Sequence, residues 1–169
     1  PENTGALPSV ENTVRRALSS LAPLGPYPYP MLRIVDTGFP GGYGAISNIT
    51  LGGGSFASAE LQYVTHEIAH AWFGGKSFAV QGSGAWPETL AEYASTWSLG
   101  PEEAHAARKR WQEAYSRVDA KQDRPVSTST WTADYGTHYA VTYAKGAFIL
   151  TLLEAQLGRA LMQKSLATL

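Results

Sequence analysis

The chain has 169 residues, with 13 Lys plus Arg against 14 Asp plus Glu, a formal net charge of −1. That length predicts one domain with a buried core; a hydrophobic share of 44% with 16% charged residues excludes a disordered polyelectrolyte, and the balanced charge carries no footprint for nucleic acid or an anionic membrane. The lack of cysteine excludes disulfides, thiol chemistry and cysteine-ligated metal, no apolar run approaches the about 18 residues of a spanning helix, and no signal peptide is visible.

Seven of the ten prolines fall in the first 40 residues. Val14 to Leu24 reads as a short helix, and Leu21 to Pro30 as an extended connector, because proline fixes φ and disfavours helix before it. Met31 to Val35 and Ala45 to Leu51 read as short strands separated by the turn signal Gly38-Phe39-Pro40-Gly41-Gly42, with Gly52-Gly53-Gly54 closing the second. Ser58 is placed to cap a helix running to Phe73, stopped by Gly74 and Gly75. Pro87 suits the first position of a helix ending near Leu99, and Pro101 opens another with Glu102 and Glu103 in its first turn. Thr137 to Leu157 reads as one long apolar helix stopped by Gly158, and a last helix starts at Arg159. A small N-terminal sheet followed by a mainly helical part is an α+β arrangement. The chain starts at Pro1 and stops at Leu169 within a helical pattern, so 1–169 is expected to be a single domain from a longer chain.

The informative segment is His66-Glu67-Ile68-Ala69-His70. Positions i and i+4 of a helix share a face, so both imidazoles can approach one ion with Glu67 beside them. The mechanical reading of His-Glu-x-x-His is two zinc ligands plus a general base; the bland reading is two half-buried, hydrogen-bonded histidines. Catalytic zinc needs a third protein ligand and leaves the fourth position to water. Glu88 and Glu92, one turn apart, are the candidates, and the seventeen residues from Ala71 to Pro87 suffice for a loop and a return. Crossing helices would set Glu88 opposite the histidines. Glu92 could then accept a hydrogen bond from the outward nitrogen of a ligand imidazole, although a solvated helix face explains it equally well.

These residues resemble the gluzincin aminopeptidase family, the membrane alanyl aminopeptidase-like zinc metallopeptidases. His66 to Gly74 is similar to its His-Glu-x-x-His-x-Trp-Phe-Gly, Glu88 to Tyr93 to its Glu-Gly-Phe-Ala-x-Tyr, and Tyr143 to Ala147 to its Tyr-x-Lys-Gly-Ala. The segment Tyr27 to Pro30 also looks familial. The resemblance covers residues 20 to 165 and implies a thermolysin-like zincin catalytic domain. It implies one Zn²⁺ held by His66, His70 and Glu88, with Tyr143 stabilising the transition state.

Three departures stand out. The spacing from His70 to Glu88 is one residue short of the usual, and Thr89-Leu90 replaces the family's Gly-Phe. The third bears on specificity. The family carries Gly-Ala-Met-Glu-Asn on a strand, and its glutamate holds the substrate's free α-amine; here the text is Gly44-Ala45-Ile46-Ser47-Asn48. Serine cannot form the ion pair, yet the strand backbone can still pair with an extended peptide. Gly44, Ala45, Ile46 and Ser47 are therefore the substrate-binding candidates, and strict amino-terminal specificity is not expected.

The expected chemistry is peptide-bond hydrolysis by a metal-activated water. Glu67 takes the proton and delivers it to the leaving amine, and the Tyr143 hydroxyl stabilises the oxyanion, a contribution of about 3 kcal/mol. An ordinary core tyrosine is the bland reading of Tyr143. Lys145 reads as a solvated or snorkelling side chain, Gly146 as a close-packing residue and His105 as exposed, while His138 is a weaker cleft candidate. Trp72, Phe73, Phe78 and Trp86 read as core first and as a substrate wall second. The competing functions are a non-catalytic peptide- or partner-binding scaffold and a zinc hydrolase of a non-peptide amide. The expected partners are a peptide substrate and missing flanking domains that close the cleft, with no nucleic acid and no membrane-spanning segment. Location is not legible; the extracytoplasmic part of a bacterial membrane-associated or secreted protein is compatible with a cysteine-free chain.

Overall fold

The computed structural model describes residues 4–37, 41–52, 54–78, 82, 84–129 and 134–169. Helix α1 (Leu7–Leu21) carries Pro8 in its first turn and ends in a 3₁₀ turn, Ala22–Leu24. It starts before the expected Val14, because proline suits a first turn and Val10, Thr13, Ala17 and Leu21 form one buried face. The proline-rich connector then runs without regular structure. Its Tyr27 ring packs edge-on against Trp72 at 5.7 Å, two residues beyond His70.

A three-stranded sheet follows, with strands β1 (Arg33–Thr37), β2 (Gly42–Ala45) and β3 (Asn48–Gly52) in the order β1-β3-β2. β1 pairs with β3 in parallel, and β2 with β3 antiparallel. The single strand expected over Ala45 to Leu51 is instead the end of one strand, a turn and a second strand. Ala45 pairs with Asn48, which leaves Ile46-Ser47 as a two-residue loop. Ser47 adopts a left-handed backbone, φ 56°, and the Asn48 side-chain amide donates to the Ile46 carbonyl at 3.2 Å. Of the expected turn before β2, Gly38 to Pro40 lie outside the described residues, as does Gly53.

The helix expected from Ser58 to Phe73 divides. Ser55–Ser58 forms a short helix, α2, Ala59 turns left-handed with φ 45°, and α3 runs over Leu61–Ala69. α3 is buried from Val64 to Ala69, packed between α1 and the sheet, where Ile49 and Leu51 of β3 complete the core. Helix α4 (Trp86–Ser95) carries Pro87 in its first turn and packs across α3. Helix α5 (Pro101–Tyr115) is opened by the Gly100 amide donating to the Glu103 carboxylate at 3.0 Å.

The long helix expected over Thr137 to Leu157 is three consecutive pieces: α6 (Tyr135–Tyr139), a π-helical segment (Ala140–Lys145) and α7 (Gly146–Leu157). Helix α8 (Arg159–Ala167) ends the chain. The architecture is α+β, a small sheet against a larger helical part. Among the described residues no helix is long and apolar enough to cross a membrane.

Candidate metal centre

Three ligand atoms converge at the crossing of α3 and α4. The Nε2 atoms of His66 and His70 lie 3.3 Å apart, and each faces Oε2 of Glu88, at 3.4 Å and 3.3 Å. His66 belongs to α3, His70 caps its end, and Glu88 sits in the first turn of α4. Both histidines are buried, and Glu88 is half-buried.

The outward nitrogens are committed elsewhere. Nδ1 of His66 pairs with Oε2 of Glu92 at 3.1 Å, and Nδ1 of His70 donates to the Phe73 carbonyl at 3.1 Å. The indole N–H of Trp111 on α5 donates to the other Glu92 oxygen at 2.8 Å. Glu92 is thus a half-buried acceptor between α3 and α5. With a proton on each Nδ1, both Nε2 lone pairs face one another and a carboxylate oxygen. That arrangement repels itself unless a proton or a cation lies between. Zinc–ligand bonds of about 2.0–2.1 Å in a tetrahedron imply donor–donor edges of about 3.3–3.4 Å, the edges found here. The donor set therefore fits Zn²⁺.

The electrostatics favour positive charge within the cluster. Burial opposes a charge on His66, but the carboxylates of Glu88 and Glu92 outweigh it and push the imidazole up to about 10. Burial would raise Glu88 and Glu92 as well, yet His66 and His70 hold Glu88, and His66 and Trp111 hold Glu92, below the usual carboxylate range.

Glu67 is raised by burial, against the pull of His66 and His70, and accepts a hydrogen bond from the Gly44 amide. Strand β2 lies hard against α3 at this point. A Cβ on Gly44 would stand 2.3 Å from the Glu67 carbonyl, and one on Gly42 would stand 2.6 Å from Glu67 Oε1.

Tyr143 sits in the π-helical segment opposite. Its ring stacks on His66 at 5.9 Å and on Tyr139 at 5.5 Å, with His138 edge-on at 5.9 Å. Its hydroxyl bonds to Glu88, and burial followed by the Glu88 charge raises the phenol far above its ordinary range. It is a neutral donor facing the cluster, not a core residue. His138 is buried behind it.

These groups line one cleft of about 980 Å³. The structure brings His66, Glu67, His70, Glu88, Glu92, Tyr143, Gly44 and Ile46 to it; Ser47 lies in the hairpin turn and is not part of the lining. Ala45 ends β2. Trp72 and Phe73 are core, with Phe73 also reaching the cleft wall, while Phe78 is exposed at it. Lys145 is not solvated: it bonds Asp123 at 2.7 Å and the Arg124 carbonyl at 2.9 Å, and covers the Tyr115 ring. Sequence reasoning passed over Trp111, Tyr139 and Arg110. The run of aromatic residues before Tyr143 was the available signal for Tyr139; nothing local marks the other two.

No protein-family model matches the sequence, and a search of curated proteins finds no match either. Among solved structures, the chain is similar to an M1 zinc metallopeptidase from Deinococcus radiodurans, with TM-score 0.71, 22% identity and 94% of this chain covered. The chain shares its fold with part of that M1 chain. A point mutant of the same peptidase matches equally, with TM-score 0.71 and 21% identity. The chain spans 36% of the length of those M1 chains.

Proposed function

We propose that this chain is the catalytic part of a zinc peptidase that hydrolyses internal peptide bonds, with relaxed rather than strict amino-terminal specificity. The observation that carries the reading is the triangle of His66, His70 and Glu88 with 3.3–3.4 Å edges, flanked in one cleft by Glu67 and Tyr143. When bound, Zn²⁺ supplies Lewis acidity that makes water a nucleophile near neutral pH. The thermolysin-like arrangement of the helices belongs to the same reading, as do further domains of the protein that close the cleft.

The residues divide the work. His66 and His70 present Nε2 because Glu92 and the Phe73 carbonyl occupy Nδ1. Glu67, raised by burial, accepts a proton from the attacking water and passes it to the leaving nitrogen. Tyr143 donates from a neutral hydroxyl to the oxygen on which negative charge develops. β2 is an edge strand, and Gly42 and Gly44 alternate with the residues bonded to β3; with the Gly44 amide taken by Glu67, the Gly42 backbone groups and the Gly44 carbonyl are left to pair with an extended peptide. That strand carries no carboxylate to hold a free α-amine, which supports the relaxed specificity.

Glu67→Gln is the decisive variant. The reading predicts retained zinc and peptide turnover lowered by at least about 100-fold. Full turnover without the carboxylate, or a parent protein that binds zinc and peptide but cleaves neither free nor N-acetylated peptides, contradicts it and favours the non-catalytic scaffold.

A further inference from the structure

We propose that Arg110 binds a carboxylate of the peptide, so that the cleft prefers chains carrying an acidic side chain or a free C-terminus near the scissile bond. The inference deepens the peptidase reading and depends on it for the fate of the bound peptide, but not for binding.

Arg110 lines the same cleft as His66, Glu67 and Glu88. Among the described residues lining that cleft it is the one arginine or lysine, set against Glu60, Glu67, Glu88 and Glu92. Its place is fixed from two sides. The next residue, Trp111, is buried and bonds Glu92, which bonds His66, so α5 is docked directly onto the metal centre. The guanidinium itself donates from Nη2 to the Gln62 amide oxygen at 2.9 Å. Gln62 precedes His66 by four residues on α3, one turn along the same face, which sets this anchor about 6 Å along the helix axis from the imidazole.

A neutral amide oxygen orients a guanidinium without neutralising it. No ion pair among the described residues includes Arg110. Glu92 feels its charge but is already bonded to His66 and Trp111. The remaining N–H groups form the planar fork that takes a carboxylate through two parallel hydrogen bonds. The acidic remainder of the lining repels the same carboxylate elsewhere, so Arg110 sets register as well as affinity.

The test uses four labelled peptides of one length, with Glu or Gln at one position and a free acid or an amide at the C-terminus, titrated into chelator-stripped protein. The peptide bearing the recognised carboxylate is expected to bind about tenfold more tightly than the peptide with neither, the size of one charge-assisted contact. The arm that carries the advantage identifies side chain or C-terminus as the source. The advantage should vanish in Arg110→Gln, survive in part in Arg110→Lys, and shrink as salt is raised from low to high ionic strength in the parent. Equal affinity for all four peptides, no measurable binding, an advantage insensitive to salt, or one unchanged in Arg110→Gln overturns the proposal. Zinc-loaded parent separates the two readings: a carboxylate preference without cleavage keeps Arg110 and defeats the peptidase, whereas cleavage without a preference does the reverse.

Discussion

The Thr89 hydroxyl donates to the Thr142 carbonyl across 2.5 Å, with both residues fully buried. Thr142 lies in the π-helical segment, whose carbonyls are out of step with the ordinary helical ladder. Its own hydroxyl pairs with Ser129 at 2.5 Å. Thr89 follows Glu88, and Tyr143 follows Thr142, so this one bond joins the element that carries the third metal donor to the element that carries the oxyanion donor. Gly146 makes room for it: a Cβ there would stand 2.5 Å from Thr89 Cγ2.

Two substitutions are expected to loosen that joint. Thr89→Val keeps the shape but strips a buried carbonyl of its partner, at a cost of about 1–3 kcal/mol. Gly146→Ala overpacks the same contact and costs about 1–3 kcal/mol. Urea unfolding measures both. Parent-like midpoints in both variants would show that the contact does not bear on stability.

Glu92 is expected to govern zinc affinity without touching the ion. Glu92→Ala leaves His66 Nδ1 and the Trp111 indole without their acceptor and should weaken zinc binding by about 10–100-fold. Competition with a chelator of known affinity measures it, and an unchanged zinc affinity would return Glu92 to the role of a helix-face residue.

Alkaline pH should attack the contact between α4 and α7. The buried Tyr93 hydroxyl bonds to Glu154, whose other oxygen takes Arg159 at 2.6 Å. Burial first, and Glu154 next, raise the Tyr93 phenol above its ordinary 10. A raised pKa means that the fold favours the neutral form, so this stabilisation is complete below pH 10 and is lost as pH climbs towards the folded-state value. The margin by which the parent exceeds Tyr93→Phe in unfolding free energy should therefore narrow above pH 10. A margin constant from pH 8 to pH 11 would contradict the assignment.

The metal centre was legible because it is local. An i, i+4 histidine pair and a carboxylate at the start of the next helix need only helical geometry and a loop long enough to return. Other features were not. The left-handed turn at Ser47 carries no glycine to announce it, and Ile46 lends the run the look of one strand. The π-helical segment has an ordinary apolar helical pattern; its widening is stabilised by Thr89, from another part of the chain. Lys145 finds Asp123 across 22 positions, and Arg110 reaches Gln62 across 48, which no window of sequence contains. The α+β arrangement is legible all the same because these differences fall at element ends and breaks, not in the buried faces of α3 and α4.

Zinc titration of chelator-stripped protein tests the central claim most directly. The account predicts one equivalent bound by the parent, and loss of stoichiometric binding in His70→Ala and in Glu88→Ala alike, with each variant still folded. A parent that takes up no zinc, or one equivalent still held after both residues are replaced together, would contradict it.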